Sequence, residues 1–313
     1  MKRHQLRYLR EIARQGLSFS GAAAALHTSQ PGISKQMRLL EEELGVDLFI
    51  RSGNRILEMT EPARRIVAIA NLVFRELDDI RAVASEFREG GTGRFNLAAT
   101  FTFARYILPD ALRRFVARHP GVEVSLLQGS PAEVSRLASS GAADIALTTR
   151  PAEDFPDLLF LEYRKLPRVL VTPPAHPLLR EKRVTLEAIS RHPLITLDVG
   201  SHGQLQMRDL FARGGLEPNI VFAGVDVDVI KAFVEAGLGV AVLPQLAFDS
   251  RRDSKLRALD VGHLFEAHVG CLAIRKNHYL RGHAYDFIET LTSTIDRRAV
   301  EKALAAARAA APA

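Results

Sequence analysis

The sequence predicts an α/β protein built from two dissimilar parts. Three observations carry this reading. Residues 1–59 read as short helices followed by a hairpin. Residues 60–89 form one long amphipathic helix. From residue 95 onward, apolar strand-like runs alternate with helical stretches. The chain has 313 residues, 47% hydrophobic and 25% charged, enough to bury a core in a small domain and in a larger one.

Residues 4–45 predict three helices. Leu6, Leu9, Ile12 and Ala13 give the first an apolar stripe. Ser18 or Ser20 caps the second, whose alanines at 22–25 admit a close neighbour. A break at Thr28-Ser29 follows. Ser29 caps the third helix, Pro31 fits its first turn and Gly45 stops it. Ile33, Met37, Leu40 and Leu44 share one face of that helix. Gln30, Pro31, Ser34, Lys35 and Arg38 share the other. Leu39 falls off the apolar stripe, and the helix alone gives no reason for it. Glu41, Glu42 and Glu43 read as a solvated face. Two apolar runs around Ser52-Gly53-Asn54 predict a hairpin with Arg51 and Arg55 on its arms.

Thr60-Glu61-Pro62 opens the long helix with a cap and an early proline. Ile66, Ala70, Val73, Leu77, Ile80, Ala84 and Phe87 recur at alternating spacings of 4 and 3. Such a heptad seam must be buried, and a homodimer through 60–89 is the economical solution; packing on its own chain is the alternative. Glu89-Gly90-Gly91-Thr92-Gly93 reads as a hinge.

Strand-like runs then appear at 95–99, 122–127, 144–148, 169–172, 194–197, 220–222, 240–243 and 268–274, with helices near 104–117 and 131–140 between the first three. This alternation predicts βαβ units and parallel sheets, as one sheet or two lobes. The tail, 301–313, is rich in alanine and reads as helical or frayed, without function.

The formal net charge is +6. Residues 1–65 hold eleven Lys/Arg against seven Asp/Glu, a net +4, so a polyanionic partner belongs to the N-terminal part. Cys271 is the one cysteine, which fits a reducing compartment, and it reads as inert core. The N-terminus lacks the apolar segment of a signal peptide, and no run reaches membrane-span length. These features predict a cytoplasmic protein without a membrane partner. His263, His268, His278 and His283 match no zinc spacing and read as surface histidines. Asp226 and Asp228 read as helix caps. Gly237-Leu238-Gly239 follows a helix and precedes a strand, the wrong order for a dinucleotide loop. No catalytic constellation, cofactor or metal is expected.

Three helices with a tight turn before the third, then a basic hairpin, describe a winged helix-turn-helix. The third helix would enter the DNA major groove N-terminus first, which requires a slim, polar leading end. Ser29 sets that end, Gln30 and Ser34 can read base edges, and Pro31 keeps the approach close. Arg38 can reach a guanine or a phosphate, Lys35 a phosphate. Arg51 and Arg55 would follow the backbone or minor groove.

The stretch AAAALHTSQPGISKQMRLLEEELGVDLFIRSGNRILEMT resembles the N-terminal domain of LysR-type transcriptional regulators, and EAGLGVAVLP at 235–244 resembles their effector domain. The resemblance implies a winged helix-turn-helix at 1–59, a linker and dimerisation helix at 60–89, and a two-lobed, periplasmic-binding-protein-like effector domain at 93–300. The second lobe would span about 167–267, and the tail 301–313 stands outside. It implies promoter DNA, a small anionic effector and self-association to a homotetramer, and it admits RNA polymerase as a partner.

Segments such as HTSQPGISKQ, FARYILP, LQGSP, VTPPAHPL and IVFAGVDVDVIKAFVEAGLGV are similar to the CysB- and Cbl-like group, regulators of sulfur assimilation and cysteine biosynthesis. Thr100, Thr102 and Thr149 match threonines that line that group's pocket for sulfate or acetylated serines. Hydroxyls at strand ends beside a helix N-terminus also suit an anion. Three positions depart from the group: Phe103 replaces a glutamine, His202 a threonine and Leu166 a tryptophan. Phe103 and His202 therefore predict an effector with an anionic head and an apolar part, such as an organosulfur compound. A regulator of another pathway with an organic-acid effector, an architectural DNA-binding protein without effector response, and a solute-binding or enzymatic α/β domain are the alternatives.

Overall fold

The computed structural model describes residues 1–52, 55–89, 93–197 and 202–309. They fall into two compact units, Met1–Ala82 and Val83–Ala313.

In the first unit, α1 (Arg3–Arg14), α2 (Phe19–Ala25) and α3 (Gln30–Leu44) precede the strands β1 (Phe49–Ser52) and β2 (Arg55–Met59), and α4 (Glu61–Glu89) begins after them. Leu9, Ile12, Ala22, Ile33, Met37, Leu40 and Leu48 are fully buried at the centre. Leu44, expected on the same face, lies in the last turn of α3 and is exposed. The turn before α3 is longer than Thr28-Ser29: α2 ends at Ala25 and His27 takes a left-handed φ of +51°. β1 and β2 pair antiparallel, Phe49 opposite Met59. The Gly53-Asn54 turn lies outside the described residues.

The seam on α4 divides differently from its heptads. Ala70 is buried with Leu6 and Phe74, and Ile66 and Leu77 pack on the same cluster. Arg10 covers the Phe74 ring at 4.3 Å. This half of the seam is therefore used within the chain. Val73 and Ile80 point outward with Ile69 and Leu72, which leaves a second apolar stripe exposed. The Phe87 side chain lies outside the described part.

The second unit has two lobes. The first contains β3 (Gly93–Thr100), α5 (Phe101–Tyr106), α6 (Leu108–Arg118), β4 (Val122–Gly129), α7 (Pro131–Ser139), β5 (Ile145–Thr149) and β6 (Leu158–Leu166). The chain crosses at Pro167 into the second: β7 (Arg168–Thr172), α8 (Leu186–Ser190), β8 (Leu194–Leu197), α9 (His202–Arg213), β9 (Ile220–Gly224), α10 (Val227–Glu235), β10 (Val240–Pro244) and β11 (Arg257–Asp260). It then returns to the first lobe as β12 (His268–Arg275), α11 (Gly282–Leu291) and α12 (Arg297–Ala309). The strand orders are β4-β3-β5-β12-β6 and β11-β7-β10-β8-β9.

Both sheets are mixed. β3, β4 and β5 are parallel, as are β8, β9 and β10, while β12 runs antiparallel to β5 and β6, and β7 to β10 and β11. β6 and β11 have no counterpart among the predicted strands. The helix expected near 104–117 is two helices. Pro109 lacks an N–H and its ring conflicts with the carbonyl four residues back, so the chain breaks at Ile107. The tail takes the helical one of its two expected forms as far as Ala309: α12 buries Val300 and Leu304 in the first lobe, and Arg308 donates to the carbonyls of Lys276 and His278.

EAGLGVAVLP has a steric explanation. Gly237 ends α10 with φ +80°, and a Cβ on Gly239 would stand 2.5 Å from the Pro193 carbonyl oxygen. The four histidines are not simply a surface set. His283 is buried against the Phe95 ring, His268 meets Arg168, His278 meets Asp144 at 3.2 Å, and His263 meets the Val184 carbonyl.

Candidate DNA-binding face and effector cleft

Ser29 caps α3, its hydroxyl accepting from the Gly32 N–H at 3.2 Å. Pro31 occupies the first turn, where no N–H is needed. The buried face of α3 is consumed by the core, so the opposite face is free. Gln30, Pro31, Ser34, Lys35, Arg38, Leu39 and Glu42 line one shallow depression on it. Gln30 Nε2 donates to Ser34 Oγ at 3.2 Å, which orders the two polar groups at the leading end. Leu39 now has a place: it is 40% exposed on this face rather than in the core. Glu42 marks where the positive charge stops.

Arg51 is already engaged. Its Nη2 lies 2.8 Å from Glu41 Oε2, while Glu41 Oε1 accepts the Leu48 N–H at 2.9 Å. Glu41 is thus half-buried structure, not the solvated face expected of it. The carboxylate fastens the start of the hairpin to α3. The Arg55 side chain lies outside the described part.

In the first lobe the parallel register pairs Ala99 with Leu147, so β3 and β5 end together. Thr100 and Thr149 therefore sit at one edge of the sheet. Thr100 leads into α5 with extended backbone, and its side chain makes no capping bond. Thr149 is half-buried and Thr102, in the first turn, is 8% exposed. Phe103 departs from expectation. It is 1% exposed, packed over Gly270 and beside Tyr163, so its ring is part of the core of the first lobe. Leu166 is also core. His202 opens α9 after the end of β8, and its side chain lies outside the described part.

One feature of the cleft escaped the sequence. At the end of α5, Tyr106 reaches the second lobe. Its hydroxyl donates to Asp228 Oδ1 at 2.6 Å and accepts from Lys231 Nζ at 2.9 Å. Arg105 Nε stands 2.6 Å from Asp228 Oδ2. Lys231 also donates to the Ala247 carbonyl and to Asp253. Burial opposes the Asp228 charge, but hydrogen bonds from Tyr106 and Lys231 outweigh it and hold the carboxyl below its ordinary range. Burial likewise opposes the Lys231 charge, and bonds to Tyr106 and Asp253 raise its pKa despite that. Asp226 caps α10 as expected, accepting the Asp228 N–H at 2.7 Å, whereas Asp228 is part of this interlobe clasp. Cys271 is buried, and burial pushes its thiol up to about 11. No helix among the described residues is long and apolar enough to cross a membrane.

The chain is similar to known proteins. The CysB transcriptional regulator of Burkholderia cenocepacia is 41% identical over 304 residues, covering 97% of each chain. The transcriptional regulator SsuR of the same organism is 38% identical over 289 residues, covering 92% of this chain and 94% of SsuR. The crystal structure of the cofactor-binding domain of the Cbl transcriptional regulator superposes with a TM-score of 0.64 at 32% identity, over 68% of this chain and 93% of that domain. Residues 3–64 match the bacterial regulatory helix-turn-helix protein family, lysR type, and residues 88–296 match the LysR substrate-binding domain. With both of its units matched, the chain belongs to the LysR family of transcriptional regulators.

Proposed function

We propose that the chain reads promoter DNA through the leading half of α3 and answers to a small anion of sulfur metabolism. It is a regulator, not an enzyme. The observation that carries the DNA reading is the face formed by Gln30, Ser34, Lys35 and Arg38 opposite a fully packed one. In the major groove, Gln30 and Arg38 contact base edges, Ser34 supplements them, and Lys35 neutralises a phosphate. Leu39 suits a thymine methyl. Ser29 and Pro31 shape the helix start. Arg51 and Arg55 approach the backbone, Arg51 by sharing or leaving Glu41.

Thr100, Thr102 and Thr149 hold the anion at the edge where β3 and β5 end, with His202 closing from the second lobe. Likeness to CysB, SsuR and Cbl supports an effector of sulfur assimilation or organosulfur metabolism: sulfate, an acetylserine or a sulfonate. The exposed stripe of Ile69, Leu72, Val73 and Ile80 supports dimerisation through α4, and pairs of dimers then give a tetramer that presents several recognition helices.

The test is thermal unfolding of the full chain with sulfate, thiosulfate, O-acetylserine, N-acetylserine and alkyl sulfonates. A ligand at 100 times its Kd stabilises by about 2.7 kcal/mol. One of these compounds is expected to raise Tm, and Thr102→Val to abolish the rise. No rise with any of them sinks the sulfur assignment and leaves DNA binding standing.

A further inference from the structure

A buried cation in the second lobe has no acid to match it among the described residues. The Arg168 side chain is 6% exposed. Its Nη1 meets His268 Nε2 at 2.6 Å, and its Nη2 donates to the Val242 carbonyl at 3.3 Å. Arginine has only donors, so His268 Nε2 is the acceptor in this pair. Arg168 Nε has no partner among the described residues. Burial alone pushes the guanidinium down to about 10, and no carboxylate among the described residues pairs with it. A buried charge without a counter-ion is costly.

Arg168 lines a cavity of about 280 Å³, at the small end for a ligand site. Met207 and Phe265 are buried apolar walls of it. The exposed rim carries Asp209, Arg213 and Glu266, and none of these three has a partner among the described residues. The four charges cancel. A bare anion would face two carboxylates, and a bare cation two guanidinium groups. A ligand bearing both signs satisfies each.

We propose that this cavity binds a small zwitterion of the α-amino-acid class. Its carboxylate lies on Arg168, its ammonium toward Asp209 and Glu266, and its side chain on Met207 and Phe265. Arg168 directly follows the crossing at Pro167, and Glu266 precedes the return strand β12 by two residues. The ligand therefore touches both connections between the lobes and sets their spacing. The cavity shares no lining residue with Thr100, Thr102, Thr149 or His202, so it is a second input, independent of the anion pocket.

The test is calorimetric titration of the full chain with L-leucine and L-methionine, and with two leucine derivatives: leucine amide, which lacks the carboxylate, and 4-methylpentanoate, which lacks the ammonium. The amino acids are expected to bind, and each derivative to bind at least tenfold more weakly. The double variant Asp209→Asn, Glu266→Gln, whose sites are exposed and spare the fold, is expected to lose at least tenfold in affinity. Thr102→Val is expected to leave it unchanged. Absence of amino-acid binding overturns the proposal. Equal binding of 4-methylpentanoate overturns the zwitterion, and loss in Thr102→Val with retention in the rim variant overturns the location.

Discussion

The Tyr106 hydroxyl donates to Asp228 Oδ1 at 2.6 Å, joining residues 122 positions apart and on opposite lobes. Tyr106 ends α5, the helix that Thr100 precedes and that contains Thr102. An effector held, as proposed, at the start of α5 would be linked to the clasp at its end by one turn and a half of helix. Tyr106→Phe is expected to cost about 1–3 kcal/mol, because Asp228 and Lys231 lose a shared partner. Small-angle scattering should show a more open effector domain. An unchanged profile and Tm would remove the clasp from the mechanism.

The clasp also has a pH window. Asp228 is held below its ordinary value, so its contribution is complete above the unfolded carboxylate pKa, about 3.9, and fades as pH falls through the folded one. Lys231 is raised, so its share is complete below its unfolded pKa, about 10.4, and fades as pH rises through the folded one. Urea unfolding across pH should show Asp228→Asn flattening the acid limb and leaving the alkaline limb in place.

On DNA, Arg38→Ala is expected to narrow the affinity gap between operator and random sequence by about 1–3 kcal/mol. Lys35→Ala should weaken both alike and reduce the salt slope by about 1. Fluorescence anisotropy at several salt concentrations separates the two. If both variants lose affinity uniformly, Arg38 reads phosphate.

Glu41 offers a test of packing against recognition. Glu41→Ala orphans the Leu48 N–H and frees Arg51. It should destabilise the N-terminal unit by about 1–3 kcal/mol. Arg51→Ala removes only the partner and should cost less. Denaturant midpoints of residues 1–82, produced separately, rank them; the reverse order would place the Arg51 ion pair above the backbone bond.

Gly239→Ala is expected to destabilise the second lobe by about 1–3 kcal/mol, since the new methyl meets the Pro193 carbonyl. Gly237→Ala should cost about 1–2 kcal/mol through its left-handed φ alone. Guanidinium unfolding of both, followed by near-ultraviolet circular dichroism, checks the two values.

The readable parts of this fold are those fixed by local periodicity. The face of α3 follows from Ile33, Met37 and Leu40, and the buried strand β10 from an unbroken apolar run. β11 escaped because its four residues are half solvated, and β6 because its second half, Glu-Tyr-Arg-Lys, has a polar composition. The heptads of α4 could not reveal that Leu6 claims Ala70 and Phe74. Thr100 and Thr149 were legible as strand ends. The burial of Phe103 was not legible, because nothing near it in sequence points to Gly270, the residue its ring covers. Tyr106 and Arg168 take their meaning from residues about a hundred positions away, which no local pattern carries.

The place of β12 sets an order of events at the ribosome. It lies between β5 and β6, so those two strands keep bare edges until residues 268–275 emerge. The second lobe, contiguous from β7 to β11, is complete by then. About a hundred residues separate the end of β6 from β12, which is on the order of 5–20 s of synthesis. For that interval the nascent first lobe carries open strand edges, a template for unwanted pairing that a chaperone would need to shield.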